Sequence, residues 1–145
     1  MCALTHAGYV GPMAELIDKI AWIHVVDRRL LVARSAGREL FYVPGGKREA
    51  GESDAETLVR EIGEELGVRI DPASAVHRLT VEAPADARPD SRVVRLTCYT
   101  ADHAGDVAPS REIEEIAWLG SADADRVSPA NRLVLEHLRE ADLVD

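Results

Sequence analysis

The sequence predicts an α+β fold, and three observations carry that expectation. Short runs rich in Val, Ile and Leu recur through the chain with strand character. Two longer stretches place their apolar residues at helical spacing. A Pro-Gly-Gly sequence separates the first group of strands from the first helix. The resulting order is βββ-α-ββ-β-α, a mixed arrangement within 145 residues, a length suited to one compact domain.

The first strand is expected over Ile20-Ala21-Trp22-Ile23-His24-Val25-Val26, after a short N-terminal tail (residues 1–16) of small residues. Asp27-Arg28-Arg29 turns the chain, and Leu30 to Arg34 returns as a hairpin partner. Leu40-Phe41-Tyr42-Val43 reads as a third short strand, halted at Pro44-Gly45-Gly46 because proline has no N–H to donate and glycine admits turn conformations. The first helix is expected over 54–66. Ser53 and Glu56 have the S-x-x-E spacing of a capping box, and Gly67 stands where a left-handed residue ends a helix. Ala55, Leu58, Val59, Ile62 and Leu66 would form its buried stripe. Val76–Ala83 and Arg92–Ala101 read as a strand pair around a loop at 84–91, and Ile113–Leu119 as a further strand. A helix over Pro129–Ala141 closes the chain, with Ser128 as N-cap and Leu133, Val134, Leu138 and Ala141 facing inward.

Composition narrows the functional classes. A net charge of −9 opposes binding to a nucleic-acid polymer, which calls for a basic stripe. An acidic protein can still bind polyphosphate when a divalent cation screens the charge. Cys2 and Cys98 suggest neither a disulfide framework nor a metal knuckle, and Cys98 lies in an apolar run as a buried thiol. The five histidines form no ligand pair. No run approaches the ~20 apolar residues of a membrane span, and the N-terminal segment has no signal-peptide pattern. The expectation is a cytoplasmic domain, either monomer or homodimer, acting on a small molecule. With aromatics at only 4%, Trp22, Tyr42 and Trp118 are expected mostly in the core, and Glu49 on the surface.

The chemistry is concentrated between Gly46 and Val68. At ~100° per residue, Glu61, Glu64 and Glu65 project from one side of the first helix, away from its apolar stripe. Like charges at such spacing destabilise a helix by several tenths of a kcal/mol per pair, roughly. A hard divalent cation with oxygen ligands reverses that cost, Mg²⁺ being the natural candidate and Mn²⁺ an alternative. For an isolated helix, a solvated acidic face would be the simpler explanation. Arg60, the leading Gly45-Gly46 turn and Glu52 at a fixed offset favour a metal site instead. Arg60 can pair with Glu56 or Glu64 at i±4 and so orient carboxylates through its planar fork. Lys47 beside the turn, and Arg34 on the second strand, are candidate phosphate contacts.

Gly46, Glu52, Arg60, Glu61, Ile62, Glu64, Glu65, Gly67 and Val68 occupy the spacing G-x5-E-x7-R-E-U-x-E-E-x-G-U, where U is a bulky aliphatic residue. In all nine positions the chain resembles the Nudix hydrolases. The resemblance implies an α/β/α sandwich with a central mixed sheet over residues 17–145. It also implies hydrolysis of a pyrophosphate bond in a nucleoside diphosphate linked to another group. Glu61, Glu64 and Glu65 would hold metal, with a backbone carbonyl of Gly45-Gly46 completing the shell and Glu52 joining Arg60 in bracing them. Family members commonly add an acidic residue from a loop outside the motif. Glu112, six residues before Trp118, matches that place, with Glu114 and Glu115 as neighbours that the sequence does not separate from it.

Val127-Ser128-Pro129-Ala130-Asn131 is similar to a stretch of MutT-type enzymes in which Asn reads a guanine-like base, so Asn131 is a candidate substrate contact. The leading expectation is therefore conversion of a nucleoside triphosphate to monophosphate and pyrophosphate. ADP-ribose or a nucleotide sugar is the alternative substrate class, and a non-catalytic nucleotide-binding module the alternative of another kind.

Overall fold

A computed structural model describes residues 15–85 and 92–145. Cys2, all of the expected tail except Glu15 and Leu16, and most of the 84–91 loop lie outside the described residues. Among the described residues, nine strands and two α-helices follow in order: β1 (Glu15–Trp22), β2 (Val25–Val26), β3 (Arg29–Ser35), β4 (Gly45–Lys47), α1 (Asp54–Leu66), β5 (Arg69–Ile70), β6 (Val76–Pro84), β7 (Arg92–Thr100), β8 (His103–Ala104), β9 (Ile113–Leu119) and α2 (Pro129–Glu140). The main sheet has the order β4-β1-β7-β6. It is mixed, because β1 runs parallel to β7 while β4 and β6 pair antiparallel to their neighbours. A second sheet, β2-β3-β9, is antiparallel, and β5 pairs with β8.

Strand alternation explains why helices cover both sides. Successive side chains of a strand point to opposite faces. On β1, Ile20 and Trp22 enter the core beneath α1, with Leu58, Ile62 and Leu66. Ala21, and Ile23 beyond the strand end, enter the other core with Val134, Leu135 and Leu138 of α2. β3 repeats the pattern, Leu31 going to the first core and Leu30 and Val32 to the second. The sandwich expected from the sequence is thus present, with β1 shared between its two cores.

Both helices form where expected. In α1, the Ser53 side chain accepts from the Glu56 N–H and the Glu56 carboxylate accepts from the Ser53 N–H, while Gly67 ends the helix at φ 71°. The α2 helix buries Ala130, Asn131 and Leu135 in addition to Val134 and Leu138, whereas Ala141 lies past its end and is exposed. Ser128 occupies the N-cap of α2, but its side chain makes no capping bond.

Two strand expectations need correction. The run 20–26 is not one strand: Trp22 ends β1 in the main sheet, and Val25–Val26 begins the hairpin with β3 in the other. The switch is stitched by the Ile23 N–H to Tyr99 carbonyl bond at 2.8 Å and the Leu31 N–H to His24 carbonyl bond at 2.9 Å. The segment 40–43 makes only single bridges, Tyr42 to Ala33 and Phe41 to Val127. The ladder lies just past the proline, in the glycines themselves: Gly45 pairs with Ala21 and Gly46 with Ile20. A Cβ at Gly45 would collide with the Ile20 carbonyl. Here glycine permits close backbone approach, and so builds a strand at the position where it was expected to end one.

Candidate active site

The short β4 strand and the outer face of α1 bring the motif together. Arg60 is its hub. Its Nε and Nη2 donate to the two Glu52 carboxylate oxygens at 2.6 and 3.0 Å, and Nη2 also donates to the Lys47 carbonyl at 2.9 Å. Nη1 donates to Glu61 Oε2 at 2.9 Å and stands 3.7 Å from Glu64. Glu52 in turn accepts from the Glu49 N–H at 2.8 Å. The buried Thr57 hydroxyl lies 2.9 Å from the same carboxylate. These bonds, the Arg60 fork above all, hold the Glu52 carboxyl down at about 2. Arg60 therefore ties the β4–α1 loop, the helix and two acidic groups into one frame. Thr57 was not anticipated, since a helical threonine carries no distinctive spacing signal.

The acidic cluster is electrostatically loaded. Glu65 is pushed up to about 8, first by burial and then by the charge of Glu61, although the Gly45 N–H donates to it at 3.1 Å. Glu61 is raised by burial against the pull of Arg60, with Glu64 and Glu112 adding to the rise. Glu112 acts on both Glu61 and Glu65. By contrast, Glu114 and Glu115 are occupied with Arg34, at 3.0 and 2.9 Å. Of the three acidic residues that the sequence left unseparated, Glu114 and Glu115 are thus paired with Arg34, while the charge of Glu112 adds to that felt by Glu61 and Glu65.

Among the described residues no three Asp, Glu, His or Cys side chains converge on a common ion position. Arg60 draws Glu61 aside, and the Gly45 amide holds Glu65. The donor set nevertheless fits a hard cation. It offers carboxylate oxygens, two of them bearing a desolvation cost that a positive charge would relieve. Gly46 also leaves no Cβ where the Glu61 carboxylate lies.

Beside this cluster a cleft of about 770 Å³ runs between β1, β4, β7 and the start of α2. Lys19, Arg38, Lys47, Arg92 and Arg132 line it, with Glu65 as the sole acidic residue among the described lining. Lys47 is exposed. Arg34 does not line the cleft. Its guanidinium is engaged by Glu114, Glu115 and the Arg38 carbonyl, whereas Arg38 itself lines the cleft. Asn131 lines the cleft but is buried. Its Oδ1 accepts from the Val43 N–H at 2.9 Å and its Nδ2 donates to Ser128 Oγ at 2.6 Å. Lys19 and Arg38 were missed by sequence reasoning. The available signal was a lysine interrupting the apolar alternation of β1.

A domain model described as NUDIX domain matches residues 19–138, and the chain belongs to the Nudix family. It is accordingly a pyrophosphohydrolase, of a family whose enzymes work on small nucleotides with divalent metal. Among solved structures, it is similar to the E. coli ORF135 protein, with 26% identity, a TM-score of 0.68, and 93% of this chain and all 100% of that chain covered. It also has the fold of a MutT NUDIX hydrolase from Burkholderia pseudomallei, with 23% identity, a TM-score of 0.66, and coverage of 84% and 97%. A bifunctional NMN adenylyltransferase/ADP ribose pyrophosphatase from Francisella tularensis, complexed with AMP and a Mn ion, shares the fold at 16% identity and TM-score 0.61. There, 90% of this chain matches 43% of that one. A comparison with curated proteins finds no match. No helix among the described residues is long and apolar enough to cross a membrane.

Proposed function

We propose that this enzyme hydrolyses a nucleoside triphosphate to the monophosphate and pyrophosphate, with Mg²⁺ or Mn²⁺ held by Glu61, Glu64, Glu65, Glu112 and a carbonyl of the Gly45-Gly46 turn. The observation that carries this reading is the cleft itself: five basic side chains in a protein of net charge −9, beside the acidic cluster. Its volume is within the range of about 300–1,000 Å³ usual for small-molecule sites. Bound metal supplies charge screening for the polyphosphate and acidifies a water.

The protein's own groups do the positioning. Arg60, braced by Glu52, fixes the Glu61 carboxylate and stands beside that of Glu64. Lys47 meets a phosphate at the mouth of the cleft. Glu112, approaching from the loop before β9, is the residue outside the motif suited to ligate metal or accept a proton. The apolar part of the lining, including Ile17, Leu40, Val94 and Leu96, suits a base. Asn131 retains one amide hydrogen and one carbonyl lone pair for a base edge, beyond the bonds it makes to Val43 and Ser128.

A Mg²⁺-dependent hydrolysis screen tests the reading. It would span nucleoside triphosphates, including oxidised purines, together with ADP-ribose, nucleotide sugars and dinucleoside polyphosphates. Highest kcat/KM on a triphosphate, with pyrophosphate released, is the expected result. Preference for ADP-ribose or a nucleotide sugar would overturn the substrate class.

A further inference from the structure

Lys19 lies outside the Gly46–Val68 motif, on the central β1 strand. In the antiparallel β1–β4 ladder it stands directly opposite Lys47. Residues so paired share a face and bring their Cβ atoms to within roughly 5 Å, and like charges placed this way destabilise a sheet. Both lysines line the cleft. Lys47 is exposed, whereas Lys19 is half-buried, its ammonium 5.5 Å from the centre of the Tyr42 ring. Among the described residues neither lysine has a carboxylate within ion-pair distance, although the charge of Glu65 acts on Lys19 more strongly than that of Lys47. Two paired cations at the end of a cleft, one of them partly desolvated, form an arrangement that a polyanion between them would stabilise.

We propose that Lys19 is a phosphate-positioning residue, gripping the substrate's pyrophosphate group from the β1 side of the cleft while Lys47 holds it from β4. The inference rests on the cleft being the substrate site, but not on which nucleotide enters it. Tyr42 limits where the Lys19 ammonium can sit, so the anion is held at a defined depth. A single flexible lysine at the rim would give attraction without that placement.

The test is calorimetric titration of inorganic pyrophosphate in Mg²⁺ buffer into wild type and the Lys19→Met, Lys19→Arg, Lys47→Met and Arg69→Met variants. Arg69 is an exposed cation on β5, outside the described cleft lining, and controls for the general field. Lys19→Met should weaken binding by about tenfold, the scale of one lost charge-assisted bond. Lys19→Arg should recover most of it, and Arg69→Met should bind as wild type does. Ligand-free Lys19→Met should melt near wild type, since it removes repulsion from Lys47 and Arg38 together with attraction to Glu65 and Glu61, whereas a marked fall in melting temperature would make Lys19 a structural counter-ion and overturn the proposal. If Lys19→Met folds poorly, Lys19→Gln replaces it in the same comparison.

Weakening of less than about threefold, or a loss that Arg69→Met reproduces, overturns the proposal. If Lys47→Met weakens binding and Lys19→Met does not, only the role of Lys19 fails. If neither does, the cleft itself is not the phosphate site. A wrong substrate class would show in the hydrolysis screen while leaving pyrophosphate binding intact.

Discussion

The Gly45 amide donates to Glu65 Oε1 at 3.1 Å, linking a three-residue strand to the last turn of α1. That contact sets the distance between the loop's backbone and the acidic face of the helix. It exists because Gly45 can approach Ile20 so closely that β4 joins β1 at all.

The two glycines should therefore fail differently. Ala at Gly45 needs φ 153° and meets backbone, so Gly45→Ala should cost about 2–4 kcal/mol, measured by denaturant unfolding. At Gly46 the atoms nearest the added methyl are those at the end of the Glu61 side chain. Gly46→Ala should keep a melting temperature near wild type and lose turnover as Glu61 is displaced. Equal stability losses in the two variants would contradict this account.

Glu112 is distinguished from its neighbours by what it faces. Glu112→Gln should lower kcat by about a hundredfold or more, whether the group binds metal or takes a proton. Glu114→Gln and Glu115→Gln remove partners of Arg34 and should stay within about fivefold of wild type. Steady-state kinetics on the three variants decides the matter.

Glu65 makes stability depend on pH in the metal-free protein. Its carboxyl is pushed from an ordinary value near 4.5 up to about 8, so the folded chain holds this proton more tightly than the unfolded one. This contribution is fully present below about pH 4.5 and is lost as pH rises to about 8. Melting in chelator across that window should show the decline, Glu65→Gln should flatten it, and Mg²⁺ should restore stability at the alkaline end. A metal-free profile identical in wild type and Glu65→Gln would show that burial does not govern this group.

Asn131 fastens the segment before β4 to the start of α2. Asn131→Ala strands the buried Val43 N–H and should destabilise the fold by about 1–3 kcal/mol in denaturant unfolding. Asn131→Asp keeps an acceptor for Val43 but loses the amide donor to Ser128 and any donor to a base. It should retain more stability than Ala while altering preference among purine and pyrimidine triphosphates.

The amino-acid sequence by itself determined the extent of α1, the motif and the family, because these depend on local chemistry. Ser53, Glu56 and Gly67 act within one or two turns, and the glutamates of α1 share a face by helical geometry alone. The tertiary structure decided what depends on partners distant in the chain. Whether Pro44-Gly45-Gly46 ends a strand or starts one turns on how near β1 lies, and no property of the three residues expresses that distance. That Glu114 and Glu115 are paired depends on Arg34, about 80 positions away, which their own spacing does not reveal. Lys19 reads as one more charged residue until the β1–β4 register sets it opposite Lys47, because strand pairing places side chains that sequence spacing leaves unrelated.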